Sequence, residues 1–369
     1  MAISVDAAKT AAANVLDPEL QRSLADAGML GDVHVDGDTV SLTITLTTPA
    51  CPHKERLQND VTAALVKAGA SKVAITWDSS VPERNILPDD PCPGVRNIVL
   101  VMSGKGGVGK STVATNLTLA LNRLGCRVGL LDADMYGPSI PTMLGVMGRP
   151  TSLDGKRFTP LERFGVKLMS IGFLIEDAKS AVVWRGPMVQ SALMQFMNDV
   201  DWGTLDYLVL DLPPGTGDIA LTISQKLRTT GAVVVTTPQE VALQDVYKSV
   251  SMAQKVGIPI LGVVENESYF VCDGCDKRHT LFGSGGGQKI AEFAGAPLIG
   301  QIPLDPSVRE WGDAGTPVVQ AAPDSVVGRA FLQVARELAA KVSVHNLSRG
   351  GSLRIDRTGG QQRFLPIVR

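Results

Sequence analysis

Ile98-Val99-Leu100-Val101-Met102-Ser103-Gly104-Lys105-Gly106-Gly107-Val108-Gly109-Lys110-Ser111-Thr112 decides how this chain is read. The first five residues form a short run that is apolar on both faces, which predicts a strand inside a sheet rather than at its surface. Residues 113–124 then carry helical spacing. Strand, glycine loop and helix, with the spacing G-x-x-x-x-G-K-[ST], make a phosphate cradle. Glycine adopts left-handed backbone angles at no steric cost, so several N–H groups converge on one anion, and the helix N-terminus adds its positive end. Gly104, Lys105, Gly106, Gly107, Val108, Gly109, Lys110, Ser111 and Thr112 are therefore candidate nucleotide-binding residues. Lys110 is expected to reach the β- and γ-phosphates and the Ser111 hydroxyl to ligate Mg²⁺.

Working outward, further apolar runs lie at 128–132, 207–211, 232–236 and 260–265, separated by helical stretches. This pattern predicts a doubly wound α/β domain with a mostly parallel sheet, whose ligands sit at the carboxyl ends of the strands. The sharpest polar residues fall at those ends. Asp132-Ala133-Asp134 closes one strand, and two carboxylates one residue apart can orient a water and hold Mg²⁺ through its water shell; a capped turn is the plainer reading. Asp211, ahead of Leu212-Pro213-Pro214-Gly215-Thr216-Gly217-Asp218, stands where a carboxylate can bind Mg²⁺ indirectly. The backbone N–H groups of that proline-glycine loop can sense a γ-phosphate, whereas Asp218 reads as a helix cap. A last helix is expected over 324–342. The Gly-, Ser-, Arg- and Gln-rich residues 343–369 read as a flexible tail.

Residues 1–80 read as a separate small α/β domain. Helical spacing over 4–16 ends at Asp17-Pro18, residues 39–47 alternate strictly, and a helix over 54–68 and a strand over 72–77 follow. Residues 81–95 hold Pro82, Pro88, Pro91 and Pro93 and are expected to form an extended, semi-rigid linker. The P-loop domain then covers 96–342. Across all 369 residues the hydrophobic fraction is 44%, the charged fraction 20% and the net charge -2. That balance gives no general electrostatic attraction for nucleic acid or anionic membrane. No apolar run reaches the roughly 18 residues of a membrane span, and the N-terminus lacks a secretion signal, so the cytoplasm is the expected compartment.

Five cysteines, Cys51, Cys92, Cys126, Cys272 and Cys275, do not suggest a disulfide framework in a chain this long. Cys272-Asp273-Gly274-Cys275 can bring two sulfurs onto one metal. A redox dithiol normally opens a helix, and this context is a polar loop. A single-chain zinc site would need more ligands than the one local candidate, His279. Two copies of the chain would supply four thiolates, enough for zinc or for an iron–sulfur cluster, and the thiols alone do not choose between them. Two unligated cysteines remain the plainest reading.

Lys105 inside Gly-Lys-Gly-Gly is either a solvated loop charge or a lysine that reaches a partner's nucleotide. This form resembles the deviant Walker A motif of the MinD/ParA/Mrp class of P-loop ATPases, which work as nucleotide-sandwich dimers. With Asp132 to Ser139, Asp211 to Asp218, Val263-Val264-Glu265-Asn266, Ser268-Tyr269-Phe270, the thiol pair, Phe282-Gly283 and Gly285-Gly286-Gly287, the chain resembles the Mrp/ApbC-type iron–sulfur cluster carriers. These are bacterial relatives of the eukaryotic Nbp/Cfd-type scaffold ATPases. Asp17-Pro18-Glu19-Leu20 and Thr47 to Pro52 resemble the iron–sulfur-assembly domain often fused to them. The resemblance implies an ATP-hydrolysing homodimer with a [4Fe-4S] cluster bridged by Cys272 and Cys275 of both chains and delivered to apo iron–sulfur proteins. It makes Asp134 the residue that positions the attacking water and Asn266 the adenine reader, though Asn266 can equally be a turn residue. Glu267 departs from the family, where methionine is common. A MinD- or ParA-like positioning ATPase without a cluster, and an ATPase dimer with structural zinc, are the alternatives; the first gives no reason for the thiols, and the four arginines of the tail are too dispersed for a membrane helix.

Overall fold

The computed structural model describes residues 3–349 except 136, 153–154, 175–185 and 216. Tyr136, Thr216 and residues 350–369, read above as parts of motifs and as a tail, lie outside the described residues. The chain divides into two compact units, Met1–Pro49 with His53–Pro82, and Ala50–Pro52 with Glu83–Arg349.

In the first unit, α1 (Val5–Ala13) is capped by Ser4, whose hydroxyl accepts the Ala7 N–H at 3.2 Å. The helix stops at Ala13 rather than running to residue 16, because β1 (Leu16–Asp17) turns back to pair antiparallel with β2 (Arg22–Ser23). Asp17 Oδ1 holds that turn by accepting the N–H groups of Glu19 and Leu20 at 2.9 and 2.8 Å. β3 (Leu30–Asp36), β4 (Thr39–Leu46) and β5 (Lys72–Ser79) form one sheet in that order, with α2 (Lys54–Lys67) crossing between the parallel pair β4 and β5. Val40, Leu42, Ile44 and Leu46 are all buried, as the alternation predicts.

The second unit is built on β6 (Ile98–Ser103), α3 (Lys110–Arg123), β7 (Val128–Asp132), α4 (Ile140–Met143), β8 (Leu161–Arg163), β9 (Val166–Ser170), α5 (Gly186–Asn198) and β10 (Tyr207–Asp211). It continues through α6 (Gly217–Lys226), β11 (Gly231–Thr236), α7 (Glu240–Lys255), β12 (Ile260–Glu265), β13 (Phe270–Val271), β14 (Arg278–His279), α8 (Gly286–Ala294), β15 (Leu298–Gln301), α9 (Pro306–Asp313), α10 (Val318–Ala321) and α11 (Val326–Ser348). Eight strands form one sheet in the order β15-β12-β11-β6-β10-β7-β9-β8, parallel throughout except where β8 meets β9. Every residue of β6, β7, β10 and β11 is buried, which is why their sequences are apolar on both faces. The strand order reverses at β6, and the glycine loop leaves its carboxyl end.

Two expectations are corrected. Residues 83–95 pack into this unit instead of spanning open space. Arg84 and Asp90 form an ion pair with side chains only 3% and 2% exposed, Arg84 Nη2 donates to the Cys92 carbonyl at 3.0 Å, and the Cys92 thiol donates to the Met197 carbonyl at 3.0 Å. Proline restricts the backbone locally; it does not prevent side chains between the prolines from finding buried partners. Residues 343–348, expected to open a flexible tail, are helical. Helix α11 continues through Ser348, because Val342, Ser343 and Asn346 prolong its buried face and Asn346 Nδ2 donates to Asn97 Oδ1 at 2.7 Å.

Candidate functional site: nucleotide pocket and thiol turn

The glycine loop is shaped from its own backbone. Gly107 and Gly109 have φ of 81° and 75°, the left-handed region that side chains resist. A Cβ on Gly109 would fall 2.3 Å from Asn266 Nδ2, and one on Gly104 would fall 2.3 Å from the Val246 N of α7. Gly109 then hands the chain into α3, whose first residue is Lys110. Ser111 and Thr112 follow, both half-buried, so the expected cradle is assembled at the end of β6.

Beneath the loop, parallel pairing sets Asp132 directly beside Asp211. Lys110 Nζ donates to Asp211 Oδ1 at 2.5 Å and to Ser111 Oγ at 3.1 Å. Asp132 accepts the Ser170 hydroxyl at 3.0 Å, the Asp134 N–H at 3.2 Å and the Ile140 N–H at 3.3 Å. Its carboxyl is pushed up to about 8, by burial first and by the Asp211 carboxylate second, against those three donors. Burial raises Asp211 too, with the Lys110 ammonium pulling it down, and Asp134 is close enough to push it further up. Asp211 Oδ2 is buried and accepts no hydrogen bond among the described residues. A carboxylate oxygen with open valence, a serine hydroxyl and a glycine cradle are the hard-oxygen surroundings that a magnesium nucleotide needs, so these residues fit that group. The Gly215 N–H, expected to face a γ-phosphate, instead donates to the Ser103 carbonyl at 3.2 Å.

Lys105 is half-buried, and among the described residues no carboxylate lies within ion-pair distance of its ammonium. Asn266 is buried and its Nδ2 donates to the Val108 carbonyl at 3.0 Å, bracing the loop from below. Glu267 follows with φ 53°, its half-buried carboxyl raised by burial. Two residues gained no role from the sequence. Ser170 holds Asp132, and Glu265 sits fully buried at the end of β12. Glu265 could have been found as the charged residue ending an otherwise apolar strand. Ser170 gives no such signal.

Cys272 and Cys275 lie on the turn of the β13–β14 hairpin, half-buried and exposed respectively. The Cys272 carbonyl accepts the Asp276 N–H at 2.9 Å, and the Cys272 N–H donates to the Lys277 carbonyl at 3.0 Å. The N–H of Gly274, then the Cys275 thiol and N–H, hold the Cys272 thiol below its ordinary value. His279 pairs across the hairpin with Phe270 and is exposed. Among the described residues, no third Cys, His, Asp or Glu joins the two thiols to form a metal-ligand group. Cys51 is half-buried, while Cys92 and Cys126 are buried, the Cys92 thiol being pushed up to about 12 by desolvation.

Residues 94–339 match the family model described as NUBPL iron-transfer P-loop NTPase. The chain belongs to that family. Residues 6–77 match a second model, iron-sulfur cluster assembly protein. The iron-sulfur cluster carrier protein of Synechocystis sp. is 46% identical over 349 residues, covering 93% of this chain and 99% of that one. Its namesake from Deinococcus radiodurans is 47% identical over 345 residues, covering 93% and 97%. A solved nucleotide-binding protein from Archaeoglobus fulgidus, in complex with ADP, is 40% identical with a TM-score of 0.53, covering 60% of this chain and 87% of that one. The resemblance and the doubly wound fold expected from the apolar strand pattern therefore both hold. No helix of the described residues is long and apolar enough to cross a membrane.

Proposed function

We propose that this chain is a cytoplasmic carrier of iron–sulfur clusters that binds and hydrolyses ATP and hands a [4Fe-4S] cluster to apo-proteins. The observation that carries the reading is the thiol turn. It presents two sulfurs at the protein surface with no third ligand beside them among the described residues. A Cys₄ set is then reached by pairing two chains, which makes the working form a homodimer and the cluster a shared cargo. The carrier names of the two relatives above support the same reading.

In the nucleotide pocket the loop N–H groups and Lys110 bind the phosphates, and Ser111 and Asp211 hold Mg²⁺, Asp211 indirectly. Held there, Mg²⁺ would supply neutralisation of the charge on the transferred phosphoryl group. Asp134 orients the attacking water, Asp132 supports it from the buried side, and Lys105 reaches the partner's nucleotide as an arginine finger would. Asn266 takes the nucleobase edge on release from Val108. Hydrolysis is slow, and is coupled to loading or release of the cluster.

Anaerobic reconstitution with iron and sulfide tests the reading, followed by a visible spectrum and metal count per dimer. A broad charge-transfer band, lost in Cys272→Ala and in Cys275→Ala, is the expected result. Stable zinc with no iron uptake overturns it.

A further inference from the structure

Glu265 is the last residue of β12 and is 0% exposed. Among the described residues it has no cation partner; its carboxylate is held by hydrogen bonds alone. Oε1 accepts the Ser268 hydroxyl at 2.5 Å and Gln301 Nε2 at 2.8 Å, and Oε2 accepts the N–H of Gly287 in the first turn of α8. Gly287 has to be glycine for this approach, since a Cβ there would lie 2.7 Å from the Glu265 Cβ. Three donors drawn from β15, α8 and the strap that follows thus converge on one buried carboxylate. A buried charge is tolerated only when so satisfied.

The chain leaving Glu265 reaches the thiol turn in seven residues and is pinned on the way. Asn266 N–H donates to the Thr236 carbonyl at 2.8 Å, while Asn266 Nδ2 holds the Val108 carbonyl inside the phosphate loop. Ser268 N–H donates to the Ile302 carbonyl at 2.9 Å and Leu304 N–H to the Tyr269 carbonyl at 2.7 Å. Phe270 bridges to Leu304 and pairs with His279, and Cys272 follows two residues later. The one left-handed non-glycine residue of the strap is Glu267, set between the Asn266 contact and the Ser268 contact.

Resting on the carrier reading, we infer that residues 265–272 are the mechanical link through which nucleotide in the phosphate loop sets the position of the Cys272–Cys275 turn, with Glu265 as the positioning residue that fixes its root. A ligand that draws Val108 or Asn266 displaces one end of a short strap whose other contacts run along residues 302–304. With its root fixed by Glu265, that displacement goes to the hairpin. With the root loosened, it dissipates.

The test is site-resolved alkylation of Cys272 and Cys275 by iodoacetamide in the full-length, cluster-free protein, with and without magnesium and a non-hydrolysable ATP analogue, read by peptide mass spectrometry. In the wild type, nucleotide is expected to change the rate at least about fivefold, the low end of ordinary coupling between sites. In Glu265→Gln, nucleotide is expected to bind within about threefold of wild-type affinity and to leave the rates unchanged. A merely structural role for Glu265 would shift the rates with and without nucleotide by one common factor, preserving their ratio. That preserved ratio overturns the inference. Should Glu265→Gln fail to fold, Ser268→Ala removes a single donor and is read by the same ratio, which is expected to shrink. The carrier reading fails separately: wild-type protein whose thiols respond to nucleotide but which assembles no cluster defeats the carrier and keeps the strap, whereas protein that assembles a cluster with thiols indifferent to nucleotide does the reverse.

Discussion

The phosphate loop and the thiol turn are both short, glycine-bearing loops that present chemistry at the end of a strand, yet they are built in opposite ways. Around the phosphate loop Gly104, Gly107 and Gly109 are each dictated by a neighbour or by a left-handed angle, and Lys110, Asp132 and Asp211 are buried with partners from β9, β10, α3 and α4. The thiol turn stands on a hairpin of two-residue strands, and its glycine, Gly274, meets nothing nearer than Cys272 Sγ at 3.9 Å. On the proposed reading, one chain supplies the whole nucleotide pocket except the partner's lysine, whereas the thiol turn supplies half of a ligand set. Close packing is placed where charge must be stabilised, and an open turn where the proposed carrier would meet a partner and later release it.

The largest effect that would break this contrast concerns Lys110. Lys110→Ala is expected to lower ATP hydrolysis by at least about 100-fold, the scale of losing one electrostatic stabiliser, while iron uptake at the thiols persists. Steady-state phosphate release and the reconstituted spectrum read the two halves. Gly109→Ala comes next. It forces a left-handed angle on alanine and drives a Cβ into the Asn266 amide, so unfolding in urea is expected to show a loss of about 1–3 kcal/mol together with weaker nucleotide binding. Cys272 sharpens the comparison with a buried thiol. Its lowered pKa makes more thiolate at a given pH, so alkylation of Cys272 in cluster-free protein is expected to rise at lower pH than for an ordinary thiol. Cys92, held at about 12, is expected to stay unmodified throughout the range from neutral to mildly alkaline. The smallest effect is Gly274→Ala, which has open space and no left-handed angle, and whose urea midpoint is expected to move stability by no more than about 0.5 kcal/mol.

The phosphate loop was legible because its residues answer to backbone geometry: glycine where φ is positive, then lysine and serine at a helix start. The central strands were legible because burial on both faces leaves no room for polar residues. Where partners lie far along the chain, legibility ends. The prolines of residues 82–93 speak only about their own backbone, and nothing local announces that Arg84 and Asp90 neutralise each other out of solvent. Residues 343–348 read as tail because what holds them in the helix is distant: Asn97, the partner of Asn346, lies 249 positions away. Strands β8 and β15 at the sheet edges are short and partly exposed, so their composition blends with loops. Asn266 is the sharpest case. Its position at a strand end was readable, but its amide points into the phosphate loop rather than outward.

The contact between Lys110 and Asp211 has a consequence for how ligand enters. Each group is the other's counter-ion, so a polyphosphate that claims the lysine strips the aspartate of its cation in a buried place, a change that on its own is strongly unfavourable. On the proposed reading, nucleotide and divalent metal would therefore gain by arriving as one species, each compensating what the other removes, and metal-free nucleotide would be disfavoured before any chemistry begins.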